Sequence, residues 1–468
     1  MNFKQDINSI ISETLQTHLV PVVGCTEVAA ICLATSIAYN AIIGRLPSYL
    51  NSSMRRKPPF IRIFPHDIQE ITIKLDGGTF KNASVVRVPG TSGLYGIEVA
   101  AAVGVFCDPN RGLNIFDGFL SEGVSVDDLL ELKKKVKVEV MDAHDEKTGI
   151  YVESRVKARS NRLLHEGVSI IRHAHSEIVY VGKDGEILFE KKFPSPTDDN
   201  LRLDEGIRRL SEVRISELVE AIKRLSDDDK RLITKAIKMN LQASEDGLKE
   251  GVGLNVGDKL RHLVHRGLLE EDMVNYAKIK AAAAVDMRMS GHMLPVMSCA
   301  GSGNLGLTAS LPVIAVAEKV GWDEKKVIEA VALSFLIVCY VTYYSGYLTP
   351  LCGCAIKAGA GVAAATSYYL GGNIDQIGSA IKNVVGNITG MICDGAKVGC
   401  AMKVMSATGC AIECALLALE GVEIPFDNGV VEKTPEATLK NVGKLCESMG
   451  ETNRTIIHII REKYPSID

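Results

Sequence analysis

Tryptophan occurs once in this 468-residue chain, aromatic side chains make up only 5% of it, and basic residues are not in excess, the formal net charge being -4. Nucleic-acid recognition needs a basic stripe or a platform of stacking aromatics, so no nucleic-acid partner is expected. Within residues 351–403 the cysteines lack the paired C-x2-4-C knuckles or histidine partners of a closed structural zinc site. Residues 1–16 alternate charge with apolar side chains and lack the apolar core of a signal peptide. Twelve cysteines without such a leader point to a cytoplasmic protein whose thiols are free or metal-bound rather than disulfide-bonded. One stretch approaches the length of a membrane span, the 18 uncharged residues 331–348. Its second half carries Tyr340, Thr342, Tyr343, Tyr344, Ser345 and Tyr347, and no basic cluster flanks it, so a buried core helix is expected and no membrane partner.

What is present suffices for a large core: 46% of the residues are hydrophobic and 24% charged, enough for two or three domains. Residues 7–43 have a helical pattern interrupted at 21–24, and the basic run NSSMRRKPP at 51–59 marks a boundary. Strand-like segments follow: FIRIF, EITIKL ending at Asp76-Gly77-Gly78, ASVVRV, VKVEV and GIYVESRV, then IVYV and EILF joined as a hairpin through Lys183-Asp184-Gly185. Helices are expected near 93–105 and 126–135, and FPSPTDDN at 193–200 reads as a linker. Beyond it lie Ala/Gly/Leu-rich helical stretches, many apolar on most faces. The expected fold is α+β: an N-terminal helical segment (1–50) packing on the catalytic domain, a smaller mixed α+β domain (51–205), and a large, mainly helical catalytic domain (206–468).

Soft-metal chemistry concentrates in residues 351–403, where Cys352, Cys354, Cys393 and Cys400 stand among glycines. Thiolates select zinc or iron-sulfur clusters, and ICDGAKVGC has the look of an incomplete cluster cradle, with Lys397 and Lys403 nearby. Cys25, in VVGCTEVAAI, falls where a helix begins, a setting that favours a thiolate and so a base, while Thr26 and Glu27 read as helix caps. In SCAGSGNLG, the backbone around Gly301, Ser302, Gly303 and Asn304 offers a nest for a carboxylate. The loop Pro89-Gly90-Thr91-Ser92-Gly93 adds the hydroxyls of Thr91 and Ser92. Cys410 and Cys414, four apart, read as one face of a packed helix; Cys299 beside the glycine loop, His175 and His292 are left without a role.

Taken together, GCTEVAA, VPGTSGLYGIEVAAAVG, HSEI, LPVMSCAGSGNLG, PLCGCAIKAG and ICDGAKVGCAMK resemble, in the same order along nearly the whole chain, the L-cysteine desulfidase family of bacteria and archaea, which is distantly similar to the iron-sulfur L-serine dehydratases. The resemblance implies a [4Fe-4S] cluster held by three cysteines, with an open iron used in non-redox β-elimination of L-cysteine to hydrogen sulfide, pyruvate and ammonia. The late ligands match Cys393 and Cys400. The early ligand falls in the CGC element, with Cys352 preferred and Cys354 the alternative. Cys25 matches the family's proposed base, and the 301–306 and 89–93 loops match segments lining the substrate pocket. His175 departs from the family pattern, in which Thr-Asn follows; here Ser176 and Glu177 do. The small-molecule partner is then L-cysteine, and a homo-oligomer is compatible. The alternatives are an iron-sulfur L-serine or L-threonine dehydratase and, in another class, a noncatalytic metal-stabilised amino-acid-binding protein.

Overall fold

The computed structural model describes residues 7–117, 119, 123–141, 150–191 and 205–463. The linker expected at 193–200 lies outside them. The chain opens with the helix Ile7–His18, a short strand β1 (Pro21–Val23) and the helix Thr26–Ile43. This second helix ends at Gly44, whose left-handed backbone (φ 80°) lets its N–H close onto the Asn40 carbonyl. All its side chains are buried, because elements press on it from more than one side.

One of these is a six-stranded sheet built from β2 (Ile68–Leu75), β3 (Val136–Val140), β4 (Tyr151–Ser160), β5 (Leu163–Arg172), β6 (Ile178–Lys183) and β7 (Glu186–Glu190), in the order β3-β2-β4-β5-β6-β7. β2 and β3 run parallel, and the other neighbours antiparallel. The helix Thr26–Ile43 lies across β4, β5 and β6. At Gly167 the approach is so close that a Cβ would stand 2.0 Å from the Ala38 carbonyl oxygen. Ser169 Oγ donates to the Ala34 carbonyl at 2.6 Å and Lys183 Nζ to that of Ile42 at 2.7 Å, which satisfies buried polar groups across the seam. Gly104, in the helix Ile97–Gly104, plays the same part on another side, where a Cβ would meet the Cys32 carbonyl oxygen at 2.4 Å. Gly167→Val is therefore expected to destabilise the protein by about 1–3 kcal/mol through overpacking. The measurement is the denaturation midpoint, and an unchanged midpoint would mean that the helix gives way freely.

The hairpin β6–β7 turns at Asp184 and Gly185, both at positive φ (51° and 83°), as Lys183-Asp184-Gly185 led us to expect. A second such turn at Asn161 and Arg162 (φ 48° and 70°) joins β4 to β5. β5 was not foreseen, because Glu166-Gly167 breaks the alternation of LLHEGVSIIR at the point where the helix presses. FIRIF is not a strand. It runs extended between Pro59 and Pro65, its Ile61 N–H donating to the Ile43 carbonyl and its Ile63 carbonyl accepting from Tyr39, so its backbone partners belong to a helix. Nor is ASVVRV: Asp76 caps a short helix, Gly77–Ala83, that consumes its first residue, and the rest folds back as a loop in which the Val88 N–H donates to the Leu94 carbonyl. The basic run docks on the sheet edge, the Arg55 N–H donating to the Leu188 carbonyl at 2.8 Å and its side chain pairing with Glu190.

From 205 onward the structure is helical apart from β8 (Pro295–Met297), giving an α+β fold with a large helical part. Met273–Met289, Gly303–Val320, Glu324–Ser345, Gly359–Tyr369 and Cys400–Leu419 pack successively at its centre. The N-terminal segment does not dock as one unit. Ile7–His18 packs on the helical part, against Glu205–Leu210 and Glu324–Ser345, whereas Thr26–Ile43 belongs to the sheet. Among the described residues, three helices are long and apolar enough to cross a membrane, Thr26–Ile43, Glu324–Ser345 and Cys400–Leu419. Glu324–Ser345 contains most of the uncharged run, and its apolar window is 83% buried in protein, as a core helix should be.

Candidate active site

Two backbone pairings assemble the site. β1 and β8 run antiparallel with Val22 opposite Val296, and the Ser298 N–H continues the ladder to the Val20 carbonyl at 3.0 Å. Cys25 and the SCAGSGNLG loop, more than 270 residues apart, are thereby set side by side. The loop turns at Ala300 and Gly301, both at positive φ (46° and 75°), closed by reciprocal bonds between Cys299 and Ser302. Ser302 then caps the helix Gly303–Val320 by accepting from the Leu305 N–H. The second pairing joins CGC to ICDG: the Cys352 N–H donates to the Met391 carbonyl at 2.8 Å, and the Cys393 N–H to that of Pro350 at 2.7 Å. Cys400 opens the helix Cys400–Leu419.

A partly enclosed cavity of about 90 Å³ lies where these segments meet. Cys25, Cys352, Cys354, Cys393 and Cys400 all line it, as do Gly301, Ser302 and Asn304. Gly303 stands behind that surface, where a Cβ would collide with the Arg288 guanidinium at 2.3 Å. Thr91 and Ser92 do not reach the cavity: the Thr91 hydroxyl donates to its own turn, to the Val88 carbonyl at 2.7 Å, and Ser92 is an exposed turn residue. Their loop contributes instead through the Pro89 ring, packed where Gly24 has no side chain. Cys299 is also off the cavity, buried 3.9 Å from the Cys339 sulfur. Cys410 and Cys414 face each other at 3.8 Å on their helix.

The helix start does not make Cys25 a thiolate. Its side chain makes no cap bond; the sulfur donates to Glu27 Oε2 at 2.7 Å. Burial, foremost, and then the Glu27 charge push the thiol well above its ordinary pKa, against the pull of Arg288. Glu27 is not a cap either. Burial opposes its charge, but the nearby His175, with hydrogen bonds from Cys25 and Asn82, prevails and holds the carboxyl well below its usual range. Asn82 Nδ2 donates to Oε1 at 2.6 Å, and His175 Nε2 lies 3.8 Å from the same oxygen. His175 is thus a site residue even though the residues after it depart from the family pattern.

Four further cavity residues, Lys81, Asn82, Arg288 and Lys357, were not picked out from the sequence. A signal for one cation was there, since Lys357 is an isolated charge in the otherwise small and apolar run CGCAIKAGAGVAAA, whereas Arg288 in AAAAVDMRM has Asp286 two residues before it. Lys357 Nζ donates to the Gly346 carbonyl at 2.5 Å, and burial, opposed by the surrounding thiols, lowers its pKa to about 8. Lys397 and Lys403 both pair with Asp394.

The thiols differ in character. A hydrogen bond from Cys354, opposed by burial and assisted by the Ala355 N–H and Lys403, brings Cys352 down to about 7, while Cys354 is raised. Burial, foremost, takes Cys400 up to about 12, and the charges of Cys393 and Cys352 add to it, so both of these sulfurs are within electrostatic reach of Cys400. Among the described residues, no three His, Cys, Asp or Glu side chains converge to hold a single metal ion. Cluster thiolates need not converge, because each binds a different iron. The donor set, four thiols besides Cys25 with Glu27 the one carboxylate among the described lining residues and already bonded to Cys25 and Asn82, fits an iron-sulfur cluster.

Residues 133–458 match the model of the family described as serine dehydratase alpha chain. The chain belongs to that family. Among its full-length relatives, a UPF0597 protein of Desulfatibacillum aliphaticivorans is 33% identical over 98% of this chain and 99% of its own. The protein of Desulforapulum autotrophicum is 34% identical, covering 98% of both chains, and that of Alkaliphilus oremlandii 32% identical over 97% of this chain and 99% of its own. Membership places the protein with serine dehydratase-like lyases. Cys25, Glu27, Lys81 and Asn82 precede the stretch that the family model matches, so part of the cavity wall lies outside it.

Proposed function

We propose that the protein is an iron-sulfur-dependent lyase that eliminates the β-substituent of a small L-amino acid, with L-cysteine as substrate and hydrogen sulfide, pyruvate and ammonia as products. The supporting observation is the single cavity lined both by the Cys25–Glu27 pair and by the thiols of the CGC and ICDGAKVGC segments. Cys393, Cys400 and Cys352 would hold a [4Fe-4S] cluster, Cys354 being the alternative to Cys352; the acidity of the Cys352 thiol favours it. When bound, the cluster supplies a Lewis-acidic iron to the leaving group, without redox change.

The protein's own residues handle the protons. Cys25 takes the α-proton; in the resting protein its own proton stays on sulfur, Glu27 being the far stronger acid, and has to pass uphill along the 2.7 Å hydrogen bond to Glu27 before the thiolate forms. Loss of the β-substituent gives aminoacrylate, whose imine tautomer hydrolyses to pyruvate and ammonia. Asn82 and His175 keep the carboxylate turned toward Cys25. Glu27→Gln is expected to lower turnover by roughly 10²- to 10⁴-fold, the range for loss of a proton-transfer group. Anaerobic steady-state assays of sulfide release check this, and turnover within a few-fold of wild type would take Glu27 out of the proton path.

The second reading, an L-serine or L-threonine dehydratase, is favoured by the description of the matched family. Anaerobic reconstitution followed by parallel sulfide, pyruvate and ammonia assays on cysteine, serine and threonine decides between them.

A further inference from the structure

Arg288 ends the helix Met273–Met289 and is only 4% exposed, yet its recorded partners are both neutral. Nη1 donates to Asn304 Oδ1 at 2.8 Å and Nη2 to the Gly24 carbonyl at 2.7 Å, while the buried Nε has no partner. A guanidinium has five N–H donors, so three are unspent. A buried charge without a counterion is costly and is kept where a ligand supplies the opposite charge. Among the described residues, Glu27 is the only carboxylate lining the cavity, and its oxygens are already engaged by Cys25, Thr26 and Asn82.

A second feature adds positive potential at the same place. Gly303 and Asn304 form the first turn of the helix Gly303–Val320, where backbone N–H groups have no partner within the helix. Because Gly303 lacks a side chain, which would stand 2.3 Å from Nε, the guanidinium reaches this turn. The bond to the Gly24 carbonyl fixes it one residue from Cys25.

We propose that Arg288, with the first turn of the helix Gly303–Val320, is the anchor for the substrate's α-carboxylate and thereby sets Cα against Cys25. The proposal rests on the amino-acid lyase reading and adds to it the residue that selects for a free carboxylate. A planar guanidinium matches a carboxylate, whereas an amide or alcohol in its place would leave the charge uncompensated.

The test is calorimetric binding of L-alanine, which has no β-leaving group, against L-alaninamide, on anaerobically prepared holoprotein. Wild type is expected to prefer L-alanine, and Arg288→Gln to lose affinity by about thirtyfold or more together with that preference. Since Arg288→Gln also removes the tie to Gly24, Asn304→Asp provides a near-isosteric control. It places a carboxylate beside Nη1 as an internal counterion and is expected to weaken L-alanine binding with Arg288 intact. A wild type without preference for the acid, an Arg288→Gln variant that keeps it, or an Asn304→Asp variant that binds L-alanine as wild type does would each overturn the anchor. Binding that follows these expectations in a protein that releases neither sulfide nor pyruvate from cysteine or serine would uphold the anchor and remove the lyase reading.

Discussion

Cys25→Ala is expected to keep a full cluster and to bind L-cysteine, yet to turn over about 10²- to 10⁴-fold more slowly, as enzymes that lose a general base do. Cys25 lines the same cavity as Cys352, Cys393 and Cys400, and its recorded side-chain hydrogen bond goes to Glu27. Removing the Cys25 sulfur deletes the proton acceptor while sparing Cys352, Cys393 and Cys400. Exchange of the substrate α-proton with deuterated solvent should fall together with sulfide release, and the spectral change on adding substrate should survive. Near-normal exchange in the variant would move the base to another group. Loss of the cluster would make Cys25 a ligand or a structural residue.

The opposite pattern is expected of the cluster thiols. Cys393→Ala and Cys400→Ala should each lose most of the cluster absorption and of the bound iron and sulfide, since a cluster short of a thiolate is labile. Cys352→Ser should behave in the same way and Cys354→Ser should retain the cluster, because the Cys352 thiol is the more acidic of the two. Full iron and sulfide in the Cys393 and Cys400 variants would strike them from the ligand set. Retention in both CGC variants would place the early ligand elsewhere, and Cys299, buried against Cys339 away from the cavity, is poorly placed to supply it.

Some of this was legible in the sequence because it depends on local chemistry. The hairpin at Asp184-Gly185 follows from residues that tolerate positive φ. The burial of the uncharged run follows from its composition, and the helical second half from its periodicity. The thiol-rich and glycine-rich motifs marked segments that do meet in one cavity. Where local pattern failed, a distant partner had overruled it. FIRIF has a strand's alternation but spends backbone bonds on a helix, and β5 lost its alternation at Gly167 to a helix more than 120 residues earlier.

The protonation of Cys25 illustrates the limit most clearly. A cysteine at a helix start reads as a thiolate, and that inference uses only the backbone dipole. In the folded protein the residue is 2% exposed with a carboxylate 2.7 Å from its sulfur, and desolvation and like charge outweigh the dipole. Arg288 is the converse case: by sequence one of several charges on its helix, it gains meaning only because β1 pairs with β8 and brings Gly24 and Asn304 to its guanidinium. The sequence by itself determined which residue types were available for soft-metal and proton chemistry. Only the tertiary structure decided which of them share a cavity and in what charge state, because both depend on pairings across hundreds of residues and on the exclusion of water that those pairings produce.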